Sequence, residues 1–456
     1  MPAPEEARSR MAQAAEPGPA RPVGEVLRDP GYLRLLLLAT VLGVPLSLVA
    51  FGFLALEHAA QNGLWEHLPH HLGYAVAPWW WPLPLLTVGG LLVAWIVTRL
   101  PGAGGHVPAR GLNPAATEPS ALPGVVLAGL ASLAFGAVLG PEAPLMAIGS
   151  GLALLAVRSA RRAGSPQLVA VLGAAGSATT ISTVFGSPLV AAVLIIEAAG
   201  LGGPGLLALI LPSLLASGVG ALVLTGFGRW TGLDTGGLAL PSVPPDDPLE
   251  AGDFLWGVPL AVVIAVVVRG AVALGGRVAD WTAKHPGPRT PLCAVVVGAA
   301  LAAYGLCTGR SPEEAALSGQ ATLAELAADP GAWPISVLLW LLLFKGLAWS
   351  VSLGALRGGP IFPALLIGPV LALVFAGLPG FGTTTALAVG IVSAAAAVTR
   401  LPVTASVLAT LLLGRDAPEQ MAVVLVCAVV AFATGELLRS RRRHGTPADA
   451  APSPRG

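Results

Sequence analysis

One carboxylate stands apart in this chain. Glu142 lies in the decapeptide Gly140–Gly149 (GPEAPLMAIG), between Pro141 and Pro144 and between two apolar runs, 121–138 and 145–157. An ionisable group at bilayer depth costs roughly 2.5–3.5 kcal/mol on insertion scales, so one found there usually serves a function. A proline in the first helical turn gives up no needed N–H, so Pro141 or Pro144 is suited to open a helix. Glu142 then stands at that helix's positive end, beside amides without intrahelical partners, the arrangement that binds anions. A tethered carboxylate in such a place is an anion that another anion can displace.

Three further interrupted stretches invite the same reading. Pro101–Gly111 (PGAGGHVPARG) is Gly-rich enough to demand tight turns with free backbone amides. Phe185–Glu197 (FGSPLVAAVLIIE) is a turn feeding an apolar helix that ends in a carboxylate. Arg357–Gly368 (RGGPIFPALLIG) follows an apolar run that carries Lys345. Arg357 and Arg400 precede helix starts and are expected to satisfy carbonyls rather than to bind substrate.

The elements that must position these stretches are membrane helices. Hydrophobic residues make up 55% of 456 and charged residues 11%, with a mean hydropathy of +0.78, which describes an all-α polytopic membrane protein. Glycine (58) and proline (42) exceed what a simple up-and-down bundle needs; broken helices lining a cavity account for them. Several apolar stretches, such as Ile361–Ala376 and Val403–Leu413, are too short to cross a hydrocarbon core. The first span is read as Leu33–Leu56, followed by a loop, Glu57–Trp81, that lacks Lys and Arg and so is placed outside. The basic runs Arg158–Arg162 and Arg439–His444 mark the cytoplasm, so both termini are expected there, with the chain multi-pass in the cell membrane.

The expected organisation is a disordered cytoplasmic segment (1–30), a first membrane repeat (31–227), a polar acidic connecting loop (228–250), a second membrane repeat (251–438) and a basic cytoplasmic tail (439–456). The repeat is visible in two matched patterns. Pro144–Gly149 and Pro363–Gly368 share P-x-x-x-I-G, and Pro188–Leu194 resembles Pro402–Leu408. The separations are similar: 188 − 144 = 44 against 402 − 363 = 39. Paired interruptions at corresponding positions point to a binding site between repeats.

Other functions find little footing. A net charge of +1 without a basic patch gives no nucleic-acid partner. Cys293, Cys307 and Cys427 lie in or beside apolar runs without C-x-x-C spacing, so they read as packing residues. Glu66, His67, His70 and His71 are spaced unevenly in a loop and read as solvated rather than metal-binding. With no HExxH motif and no G-x-S-x-G paired with a histidine, an enzyme is not expected, nor any cofactor or metal. A carrier of neutral organic solutes would not need so many helix N-termini aimed at one spot.

Taken in order, these stretches resemble the CLC family of chloride channels and chloride/proton antiporters over roughly residues 31–438. That family carries GSGIP, G-(R/K)-E-G-P, an FNAP-like turn before a helix ending in glutamates, and GGxFxP. The resemblance implies a homodimer of inverted repeats of tilted and re-entrant helices, with an anion pathway in each subunit. It implies that Glu142 is the gate and that the anion is held by Gly104, Gly105, His106, Val107, Pro108, Ala143, Pro144, Gly359, Pro360, Ile361 and Phe362. Glu197 matches the first of the family's two acidic residues and marks a possible proton pathway; a helix cap or ion pair is the alternative.

This sequence also departs from the family pattern. Pro141 replaces a basic residue, Ala143 a glycine, and Gly105 the anion-coordinating serine. His106 replaces a glycine and offers either a titratable donor or a satisfied turn histidine. Ile361 stands at the family's phenylalanine, with Phe362 one position later. Ala198 stands where the antiporters carry their second glutamate, so weak or absent proton coupling is expected. The pore-lining tyrosine of the last helix has no counterpart, the tyrosines being Tyr32, Tyr74 and Tyr304. Chloride is the default anion, with bromide, nitrate and fluoride as alternatives. Flux is expected to rise as external pH falls.

Overall fold

Proline at helix starts and glycine at breaks divide this apolar chain into long and short helices. The computed structural model describes residues 25, 28–111, 116–159, 166–200, 203–232, 240 and 249–444. The first half comprises α1 (Pro30–Asn62), α2 (Pro82–Arg99), α3 (Leu122–Leu133), α4 (Glu142–Ser159), α5 (Pro166–Phe185), α6 (Pro188–Ala199) and α7 (Gly203–Thr231). The second comprises α8 (Ala251–Lys284), α9 (Pro286–Thr308), α10 (Gln320–Ala328), α11 (Ile335–Ala355), α12 (Ile361–Leu373), α13 (Thr383–Thr399), α14 (Pro402–Leu413) and α15 (Ala417–His444). Among the described residues, eight helical stretches are long and apolar enough to cross a bilayer. The shorter apolar α3, α6, α12 and α13 fall below that length.

The core lies between the halves. Every residue of α12 is buried, and α13 is buried from Thr384 to Val398, whereas α1, α7 and α15 expose apolar side chains where lipid would lie. The repeat has a packing signature. Gly149 of α4 lies so close to α5 that a Cβ would stand 2.2 Å from the Gly176 carbonyl oxygen. Gly368 of α12 meets α13 in the same way, 2.1 Å from the Gly390 oxygen. Helix pairs α4/α5 and α12/α13 are then followed by proline-initiated α6 and α14.

Several expectations require correction. The first loop does not begin at Glu57: α1 continues to Asn62 and runs through a π-turn (Gly63–His67) into a short helix ending at His71. The good helix formers of LALEHAAQN carry the helix past the point where charge first appears. The first half extends to Thr231, past residue 227, and α15 continues past Leu438 to His444. Most of segment 1–30, residues 233–239 and 241–248 of the connecting loop, residues 160–162 of the first basic run and 445–456 of the tail lie outside the described residues.

Candidate anion site

Two glycine–proline turns face each other at the centre. The Gly140 amide donates to the Gly359 carbonyl at 2.9 Å, and the Gly359 amide returns a bond to Gly140 at 2.6 Å. The internal match therefore begins earlier than P-x-x-x-I-G: GPEAPLMAIG and GPIFPALLIG share G-P-x-x-P-x-x-x-I-G. In that register Gly140 pairs with its own counterpart (359 − 140 = 219), and Glu142 with Ile361, also 219 positions away. The two repeats thus meet at equivalent positions.

Glu142 opens α4 and is fully buried. Its Oε1 accepts from the Ile361 amide at 2.6 Å, so the carboxylate occupies the N-terminus of α12 as a bound anion would. Its Oε2 has no hydrogen-bond partner among the described residues. Glycine is required opposite it: a Cβ on Gly359 would stand 1.9 Å from Glu142 Cδ, and one on Gly140 would stand 2.1 Å from Oε2. Phe362, in the first turn of α12, stacks on Phe185 at 5.3 Å and 10°. Through that pair the Phe185–Pro188 turn joins the site.

The glycine-rich loop after α2 is folded as its composition demands, with positive φ at Gly102, Ala103, Gly104 and Gly105. Ala103 holds this conformation without the freedom of glycine, and its carbonyl is gripped by Arg357 Nε and Nη2 at 3.3 and 3.2 Å. Arg357 thus serves carbonyls, as expected, and fastens this loop to the turn that carries Gly359. Gly104 and Gly105 lie against Ala128 and Val125 of α3, and His106 Nε2 is buried without a partner among the described residues. Val107 and Pro108 lead into a cavity of about 440 Å³. That cavity is lined by Arg110, Arg269, Arg400, Arg439 and Glu197 and reaches Pro360, next to Gly359.

The structure therefore brings Glu142, Gly359, Ile361 and Phe362 together. Residues Gly104–Pro108 are fastened to the same centre through Arg357. Pro144 packs on α3 at Gly129. Glu197 is spoken for by α14: it accepts from the amides of Val403 (3.0 Å) and Thr404 (2.7 Å) and from the Thr404 hydroxyl (2.7 Å). Lys345 is fully buried and donates to the carbonyls of Ala315 and Ala316 at 3.0 and 2.9 Å. Among the described residues no cluster of His, Cys, Asp and Glu could hold a metal ion.

Between the end of α1 and residues 311–325 lies a second cavity, of about 590 Å³, with Glu66, Glu313, Glu314 and Glu325 in its wall. Burial, then repulsion from Glu66, Glu325 and Glu314, pushes Glu313 up to about 7. Below this mouth Glu57 of α1 is buried, 3% exposed, and close enough to Glu142 for their charges to interact. The sequence reading missed Glu57 by ending the helix before it. The signal available was Glu57 and Gln61, four apart on one helical face.

Two repeats whose helices α4 and α12 start face to face at a buried acid, with an arginine-lined and a glutamate-lined cavity besides, define an ion-transport protein of inverted-repeat design. The chain belongs to the CLC family: the pattern described as voltage gated chloride channel matches residues 89–436. It is 29% identical over 354 residues to the "Putative ion-transport protein YfeO" of Escherichia coli (strain 55989 / EAEC), covering 75% of this chain and 79% of that one. In fold it is similar to a CLC-type fluoride/proton antiporter, with a TM-score of 0.69 at 18% identity, covering 89% of this chain and 96% of the other. A slow cyanobacterial chloride/proton antiporter also gives 0.69 at 18% identity, covering 91% and 99%.

Proposed function

We propose that the protein conducts chloride or a similar small anion across the cell membrane through a pathway in each subunit of a homodimer, with Glu142 as the gate. One observation carries this reading: the Glu142 carboxylate rests on the Ile361 amide at 2.6 Å, where an anion would sit. Protonation or displacement frees that amide, and the travelling anion takes the vacated place. The arginine-lined cavity gathers anions at one mouth, and positive-inside bias assigns it to the cytoplasm together with both termini. The glutamate-lined mouth then faces outside.

Proton coupling is weak or absent in this reading. Ala198 supplies no carboxyl beside the arginine mouth, and the acceptor oxygens of Glu197 are committed to α14. The testing experiment is flux from proteoliposomes loaded with chloride, fluoride or nitrate, with a simultaneous proton readout. Wild-type flux should rise as external pH falls, and Glu142→Gln should conduct at a rate independent of pH. A Glu142→Gln protein that keeps the wild-type pH curve refutes the gate. Stoichiometric proton movement against a chloride gradient would favour the second reading, a coupled antiporter. Fluoride outpacing chloride would reassign the anion.

A further inference from the structure

We propose that Glu57 is the outer proton partner of Glu142, passing protons between the glutamate-lined mouth and the gate. The proposal rests on the reading of Glu142 as gate and extends it to a residue on a different helix. Glu57 Oε1 accepts from Gln61 Nε2 at 3.1 Å, and the same nitrogen donates to the Leu133 carbonyl at 3.3 Å, which fixes the side chain. Glu57 Oε2 is buried and has no partner among the described residues, as is true of Glu142 Oε2. Two neighbouring buried carboxyls, each with an unused oxygen, share protons as a pair.

Two adjoining cavities lead toward this pair. A small cavity is lined by Glu57, His58, Gln61, Pro141, Ser318 and Gln320. His58, Gln61, Ser318 and Gln320 also line the glutamate mouth, so these four side chains are all that stands between the mouth and the small cavity beside Pro141, the residue before Glu142. The charged and titratable groups around it are few. Glu142 faces Glu57 from α4, and His58 flanks it with Nδ1 3.1 Å from the Leu54 carbonyl. Lys345 of α11 comes up beneath Gly319 but is occupied by backbone carbonyls. The α5 wall is Val184, and the mouth adds Glu66, Glu313, Glu314 and Glu325.

The step moves one proton. The O–H bond of the Glu57 acid breaks as one forms on the Glu142 carboxylate, which then leaves the Ile361 amide. Glu57 regains a proton from water in the mouth.

The test is chloride efflux from proteoliposomes against external pH, for the full chain and its Glu57→Gln, Glu57→Asp, Gln61→Met and Glu142→Gln variants. Glu57→Gln removes the negative neighbour, so its half-activation should move to lower pH by about one unit, a tenfold rise in the external proton concentration needed. Glu57→Asp should stay near wild type. Gln61→Met leaves the acid but not its anchor and should also move the midpoint, which keeps the question open to test if Glu57→Gln folds poorly. Wild-type midpoints in both Glu57→Gln and Gln61→Met, beside a flat Glu142→Gln profile, would overturn the role of Glu57 and leave the gate standing. A Glu142→Gln protein with wild-type pH dependence would overturn both.

Discussion

Gly140 and Gly359 hydrogen-bond each other in both directions, at 2.9 and 2.6 Å, although 219 positions separate them. Each is followed by a proline and, one residue later, by the start of a buried helix. The two helices therefore begin at one place, from opposite halves. An inverted repeat puts equivalent residues on its axis face to face, and there the sequences differ where it matters. The first repeat supplies a carboxylate, Glu142, and the second supplies a free amide, that of Ile361, to receive it.

Gly359→Ala should open the gate. The added Cβ would stand 1.9 Å from Glu142 Cδ and 2.1 Å from Oε1, and the atoms in its way belong to a side chain able to swing aside. Flux at neutral pH should rise toward that of Glu142→Gln, and its pH dependence should flatten. Chloride efflux at several external pH values checks this. An unchanged pH curve would mean that the carboxylate does not need the space over residue 359.

Gly149→Ala and Gly368→Ala should each destabilise the fold without bearing on the gate. Here the obstructing atoms are backbone oxygens of Gly176 and Gly390, which cannot rotate away. Overpacking of this kind costs about 1–3 kcal/mol, so each variant should melt several degrees below wild type in detergent. Similar losses are expected because the two contacts are equivalent by repeat. A loss at one position alone would break that equivalence.

What was legible in the sequence followed from local chemistry. Proline and glycine mark where helices stop, so the four interrupted stretches and the lone Glu142 stood out in an otherwise apolar chain. The repeat was visible from Pro144 and Pro363 onward, but its glycine–proline start was masked because Glu142-Ala143 and Ile361-Phe362 share no chemistry. Glu57 was hidden for another reason. A charge after an apolar run looks like a helix leaving the membrane, and only tertiary packing against α3 and α4 reveals that it is buried. The partners of Glu197, Val403 and Thr404 some 206 positions away, were likewise out of reach of local pattern.

Stability should fall as pH rises through the range in which Glu313 loses its proton. Half-buried in the mouth and repelled by Glu66, Glu325 and Glu314, it is pushed up to about 7. The unfolded chain releases the same proton near the ordinary carboxylate value, about 4.3. The folded state binds more protons between those values, so stability declines from about pH 4.3 to about 7 and stays reduced above that. Glu313→Gln removes the loss. Its melting temperature should exceed that of wild type at pH 8 and match it at pH 4. Equal melting temperatures at both values would show that Glu313 ionises freely.

Glu197→Ala should separate a cap from a proton carrier. The carboxylate holds the amides of Val403 and Thr404 at the start of α14, and losing such a cap costs about 1 kcal/mol, with a range of roughly 0.5–2. Glu197→Gln keeps an acceptor oxygen but cannot release a proton, so it should recover much of that stability. A cap predicts that the melting temperature falls in the alanine variant, partly returns in the glutamine variant, and that anion flux and its pH curve stay near wild type in both. A proton carrier predicts the reverse pattern, with the glutamine variant stable yet altered in proton movement. Thermal melts and the proton readout on the same two variants distinguish these outcomes, and the geometry at Thr404, where backbone amide and hydroxyl both bind Oε2 at 2.7 Å, favours the cap.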